Sequence, residues 1–161
     1  MGDPKAVIAA LVLVLATAPG CSWVLLQWRE PGHRHRDFPD AVAAEYHCDK
    51  RPLPFFELEK SELVPNRVKA GSEFNQRLVY VLCPERPTAV VPGVLHTRIL
   101  FEGRTIVSES LPEKLRPGRW VLDSFVHLPE DASPGLYAMD VHFESAAGQL
   151  RQRVDFVVKE R

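Results

Sequence analysis

The sequence predicts an all-β sandwich of about seven strands, preceded by an N-terminal hydrophobic helix that acts as signal or anchor. Three observations carry that expectation. Residues 115–158 contain three runs in which apolar and polar residues alternate, and a period of two marks a strand with one buried face. From residue 53 onward, short runs of this kind are separated by Gly, Pro, Asp and Ser at regular spacing, the layout of a sandwich. Residues 6–18 carry no charge and have the length of a signal-peptide apolar region.

A length of 161 residues suits one domain, and an apolar content of 45% supports a core. The net charge of -1 leaves no basic field to attract nucleic acid or anionic lipid. No nucleic-acid partner is expected.

The apolar run ends in Ala18-Pro19-Gly20-Cys21, and three outcomes follow. Gly20-Cys21 resembles the lipobox of bacterial lipoproteins, which makes Cys21 the lipidation candidate. Alternatively the run continues to Trp28, giving 23 residues from Ala6. That is enough to cross about 30 Å of hydrocarbon, with Trp23 and Trp28 at the interfaces. In the third outcome a peptidase removes the segment after a small residue. Arg29, Arg34 and Arg36 outweigh Lys5 and alone would keep the following residues in the cytoplasm, whereas the Pro19-Gly20 break and the composition beyond it point to export. The expected location is membrane-anchored and extracytoplasmic, on the periplasmic or cell-surface side.

Residues 1–28 are thus read as signal or anchor, residues 29–52 as a charged, Pro-bearing linker or stalk, and residues 53–161 as the domain. Within the stalk, residues 40–46 allow one or two helical turns with Asp40 as cap. Phe55, Phe56 and Leu58 begin a first strand. Pro65 marks an edge where the chain can switch sheets. Residues 74–83 alternate Leu78, Tyr80 and Leu82 with Val79, Val81 and Cys83, apolar on both sides, which predicts a central strand. Leu95, Thr97, Ile99 and Phe101 oppose His96, Arg98 and Leu100, and Glu102-Gly103 turns a hairpin into Thr105. Trp120, Leu122, Ser124 and Val126 then alternate with Val121, Asp123, Phe125 and His127. The last two runs, around Tyr137 to Phe143 and Leu150 to Val158, form a hairpin through the short link at residues 145–148.

Asp131-Ala132-Ser133-Pro134-Gly135-Leu136-Tyr137 resembles the turn before the penultimate strand of immunoglobulin-like and fibronectin type III-like β-sandwich domains. The wider pattern, with Pro117-Gly118-Arg119-Trp120 and Leu128-Pro129, is similar to accessory domains of bacterial exported proteins. The resemblance implies an immunoglobulin-like antiparallel sandwich in which Tyr137 forms a structural tyrosine corner. It implies partner binding or spacing of modules and no activity. Residues 136–144 contain no Cys, so the inter-sheet disulfide of that family has no counterpart on this strand.

With Cys21 assigned to the N-terminal segment, Cys48 and Cys83 remain as an even pair, the disulfide candidate of an oxidising compartment. The other reading leaves Cys83 as a small core residue and Cys48 exposed, both reduced. His33, His35, His47 and Cys48 raise the alternative of a metal-handling or envelope-assembly factor, although their spacing matches no closed site. Cys83, His96, His127, Met139 and His142 raise copper, but no His follows Cys83 closely. Arg98, Asp123 and His127 raise a glycan-binding accessory domain. No metal, cofactor, small-molecule ligand or catalytic residue is expected. The function expected is a non-enzymatic, membrane-tethered module that mediates protein interaction or positions a partner at the cell envelope.

Overall fold

The computed structural model describes residues 31–160, so the apolar stretch and Cys21 lie outside the described residues. The chain is an all-β sandwich of two sheets, with nine strands and one short helix among those residues. In order they are β1 (Gly32–Asp37), α1 (Pro39–Tyr46), a 3-10 turn (Cys48–Lys50), β2 (Phe55–Val64), β3 (Arg67–Lys69), β4 (Glu73–Cys83), β5 (Val91–Phe101), β6 (Arg104–Leu115), β7 (Gly118–His127), β8 (Gly135–Ser145) and β9 (Gly148–Lys159). The first sheet has the order β1-β7-β4-β2, the second β3-β9-β8-β5-β6.

Period-two alternation decides which side chains meet between the sheets. Phe74, Leu78, Tyr80, Leu82 and Leu122 of the first sheet face Ile99, Tyr137, Met139, Phe143 and Phe156 of the second, all 5% exposed or less. Each such side chain removed from water stabilises the fold by about 1.5–3 kcal/mol. β4 lies between β7 and β2. It is apolar on both faces because its outer side chains, Val81 and Cys83, pack under α1 with Val42 and Cys48 in a second small core.

Pro65 ends β2, an edge of the first sheet, and after Asn66 the chain enters β3 at the edge of the second. Glu102 and Gly103, both with positive φ (48° and 77°), make the tight β5–β6 turn. β8 and β9 pair from Gly135↔Val158 to Ser145↔Gly148.

Three features differ from the sequence expectation. The stretch expected as a stalk contains β1 and α1, with Gly32↔Asp123 and His35↔Trp120 paired across the first sheet. Asp40 lies in the first turn of α1 and Phe38 takes the N-cap position without a side-chain cap bond. The sandwich is antiparallel except for β3, which runs parallel to β9. Three residues docked beside a long strand after a sheet crossover are too short a segment for periodicity to reveal.

Candidate functional site

β1 is the strand that follows the apolar N-terminal stretch, and polar groups fasten it on both faces. On the inner face His33 approaches Tyr80 through Nδ1 (3.1 Å to Oη) and donates from Nε2 to Glu113 Oε1 of β6 at 2.7 Å. The ring thereby joins the edges of the two sheets. Tyr80 Oη also accepts the Arg116 backbone N–H at 3.1 Å. Burial pushes the Tyr80 hydroxyl up. Burial acts to raise the Glu113 carboxyl too, but the bonds from His33 and the Lys114 amide outweigh it and hold the group below the usual carboxylate range. His35 lies between Phe38 and Trp120, with ring centres 4.5 and 5.0 Å apart, and Trp120 Nε1 donates to the Pro117 carbonyl at 2.8 Å.

On the outer face Asp123, 1% exposed, gathers three donors. Oδ1 accepts from Asn75 Nδ2 at 2.8 Å and Arg77 Nε at 3.0 Å, and Oδ2 accepts from Arg34 of β1. Arg77 reaches on to Glu62 and Glu62 to Lys60, so alternating charges cross all four strands of the sheet. Burial opposes ionisation of Asp123, yet these donors outweigh it and keep its carboxyl low.

A second hub stands beside α1. Arg119 binds Asp37 of β1, Glu45 of α1 at 2.8 Å and Glu59 of β2 at 2.7 Å. The hydrogen bond with Glu59 is the main reason its guanidinium is held charged. Tyr46 donates to the same Glu59 at 2.7 Å, and burial together with that bond pushes the Tyr46 hydroxyl up to about 12. Gly118, φ +97°, lets this corner close, since a Cβ there would meet the Asp37 carbonyl at 2.6 Å. Chemically, the seam holds carboxylates ionised against fixed cations and couples β1 and α1 rigidly to the sandwich.

Cys48 and Cys83 form a disulfide with Cα atoms 5.8 Å apart. Tyr137 is 2% exposed, stacks on Phe101 at 4.5 Å, and donates its hydroxyl to the Ser133 carbonyl at 2.7 Å.

The other constellations do not assemble. His33 is bound within the seam, His35 in an aromatic stack, His47 is the exposed left-handed cap of α1, and Cys48 is in the disulfide. Cys83 is in that same bond, Met139 is core, and His127 is on a different sheet from His96 and His142. Among the described residues no group of three or more His, Cys, Asp or Glu side chains is arranged to hold a metal ion. Arg98 belongs to β5 of the second sheet while Asp123 and His127 belong to β7 of the first, so the three share no face. Sequence reasoning missed the seam because Gly-His-Arg-His-Arg-Asp alternates imidazole with guanidinium, a period-two strand written wholly in polar residues.

No family model matches the chain, and no curated protein matches it. Solved structures similar to it include a family 123 glycoside hydrolase from Clostridium perfringens, at 14% identity and a TM-score of 0.45 over 59% of this chain and 22% of that one. A β-glucosidase from Listeria innocua in complex with glucose is 17% identical, TM-score 0.45, over 68% and 17%. The sporulation control protein of Bacillus subtilis is 12% identical, TM-score 0.39, over 66% and 49%. The chain thus spans about a fifth of the two enzymes. Likenesses of this level carry no argument about its activity.

Proposed function

We propose that this chain is a non-enzymatic, membrane-tethered extracytoplasmic module, immunoglobulin-like in kind, that binds a protein and positions it at the cell envelope. The observation that carries the reading is the Cys48–Cys83 disulfide, because such bonds persist in oxidising compartments and are rare where thiols are kept reduced. The Tyr137 hydroxyl turned onto the Ser133 carbonyl supports the immunoglobulin-like kinship. The tether is the apolar stretch ending at Trp28. In sequence only residues 29–31 separate it from β1, which leaves little chain for a stalk. Phe38, 73% exposed beside the His35–Trp120 stack, is the point of contact offered to a partner. Among the described residues no helix is long and apolar enough to cross a membrane.

The test is intact mass spectrometry of protein recovered from cells quenched with an alkylating agent, in membrane and soluble fractions. Recovery in the membrane fraction with Cys48 and Cys83 alkylated only after reduction is the expected result. Alkylation of both before reduction, or recovery in the cytosol alone, overturns the reading. A photo-crosslinker placed at residue 38 is expected to form a discrete protein adduct in cells that one at buried Val42 does not.

A further inference from the structure

The outer face of the second sheet carries two histidines whose arrangement the module reading leaves unused. His96 on β5 and His142 on β8 are direct cross-strand partners on two interior strands of that sheet. Their neighbours Leu95, Thr97, Val141 and Phe143 are buried between the sheets, so alternation sends both imidazoles outward, where each is half-buried. The ring centres are 5.7 Å apart with planes tilted by 32°.

Each ring is also oriented by a flanking strand. Nδ1 of His96 lies 2.7 Å from Ser110 Oγ on β6, and Nε2 of His142 lies 3.2 Å from Gln149 Oε1 on β9. An amide oxygen only accepts, so Nε2 of His142 carries the proton and Nδ1 keeps its lone pair. A hydroxyl accepting from Nδ1–H of His96 likewise leaves Nε2 of that ring with its lone pair. One nitrogen held by an outer partner and one left as a donor is the pattern of metal-binding imidazoles. Two imidazoles sharing one ion at about 2.0–2.1 Å per metal–nitrogen bond bring their ring centres to about 5–6 Å.

We propose that His96 and His142 form an open bis-imidazole site for a borderline divalent transition-metal ion, with water in the remaining positions. Imidazole donors favour Cu²⁺ over Ni²⁺ and Zn²⁺. The surrounding charges make the site weak and exchangeable. Arg151 is the β9 partner of His142, and Arg98 and Arg153 stand one row away, both near Asp140, while Glu144 offsets them along β8.

The experiment is calorimetric titration of the full chain with copper(II) chloride at neutral pH, with electron paramagnetic resonance of the loaded protein reporting nitrogen ligation. One ion per chain is expected, with affinity reduced more than about tenfold in His96→Gln and in His142→Gln and unchanged in the His47→Gln/His127→Gln double variant. Ser110→Ala, which removes only the outer partner, is expected to weaken binding by about tenfold. All four are surface changes, and circular dichroism confirms folding. Absence of saturable uptake, wild-type affinity in both single variants, or loss of binding in the His47/His127 control overturns the proposal.

Discussion

The outer faces of the two sheets make opposite use of charge. On the first sheet the hubs Asp123 and Arg119 are withdrawn from water, with side chains 0% and 13% exposed, while outer members of their networks such as Arg34 and Glu45 stay about half exposed. On the second sheet Arg98, 53% exposed, and Arg153, 61% exposed, approach Asp140 only to 3.6 and 3.9 Å. Desolvation is what separates them. A charge that has lost its water depends on its protein partners, and removing one strands the others. A solvated charge falls back on water at little cost. The first face therefore stiffens the attachment of β1 and α1, and the second stays free for ligands.

The largest expected effect comes from breaking the buried hub. Asp123→Ala leaves Asn75 Nδ2 without this acceptor and Arg77 with only the longer contact to Glu62, and is expected to cost about 3–5 kcal/mol in urea unfolding. A loss below about 1 kcal/mol would refute the hub. The same carboxyl sets an acid dependence. Its folded pKa lies below the unfolded value of about 3.9. Its stabilisation is therefore complete above that pH and disappears as pH falls through the folded value, so the unfolding free energy of the variant should decline less steeply below about pH 4 than that of the native chain.

Next is the Cys48–Cys83 bond, which ties the end of α1 to β4 across a sequence separation of 35. Its removal in Cys48→Ala/Cys83→Ala is expected to cost about 3–4 kcal/mol by loop entropy. Equal midpoints for the oxidised and reduced native chain would show that α1 docks without it. Tyr137→Phe keeps the core ring and deletes one hydrogen bond, so a loss of about 0.5–1.5 kcal/mol in thermal unfolding is expected. Arg153→Ala on the open face should stay within about 0.5 kcal/mol of the native chain; a larger loss would erase the contrast between the faces.

The core strands could be read from the chain because apolar periodicity records burial directly. β4, β5, β7 and β8 each show it, and the two-sided apolar character of Val79 to Cys83 marked β4 as a central strand, which it is, although it did not reveal that α1 covers its outer side. β1 escaped because its inner residues are His33 and His35, whose hydrogen-bond and ring partners Tyr80, Glu113 and Trp120 stand 47 to 85 positions away. Asp123 was visible as the polar half of an alternation and as one of the Arg98, Asp123 and His127 set that the two sheets separate. That its neighbours Asn75, Arg77 and Arg34 converge on it follows from strand order, which no local pattern encodes.

The disulfide also changes what a protease can achieve. Cys48 and Cys83 close a covalent ring that contains β2, β3 and β4, together with the exposed corner at Pro65-Asn66. A single cut anywhere inside that ring opens a loop but releases no fragment, and both pieces stay joined beside α1. Nicking within this third of the sandwich would leave the two pieces covalently joined until a reductant arrives.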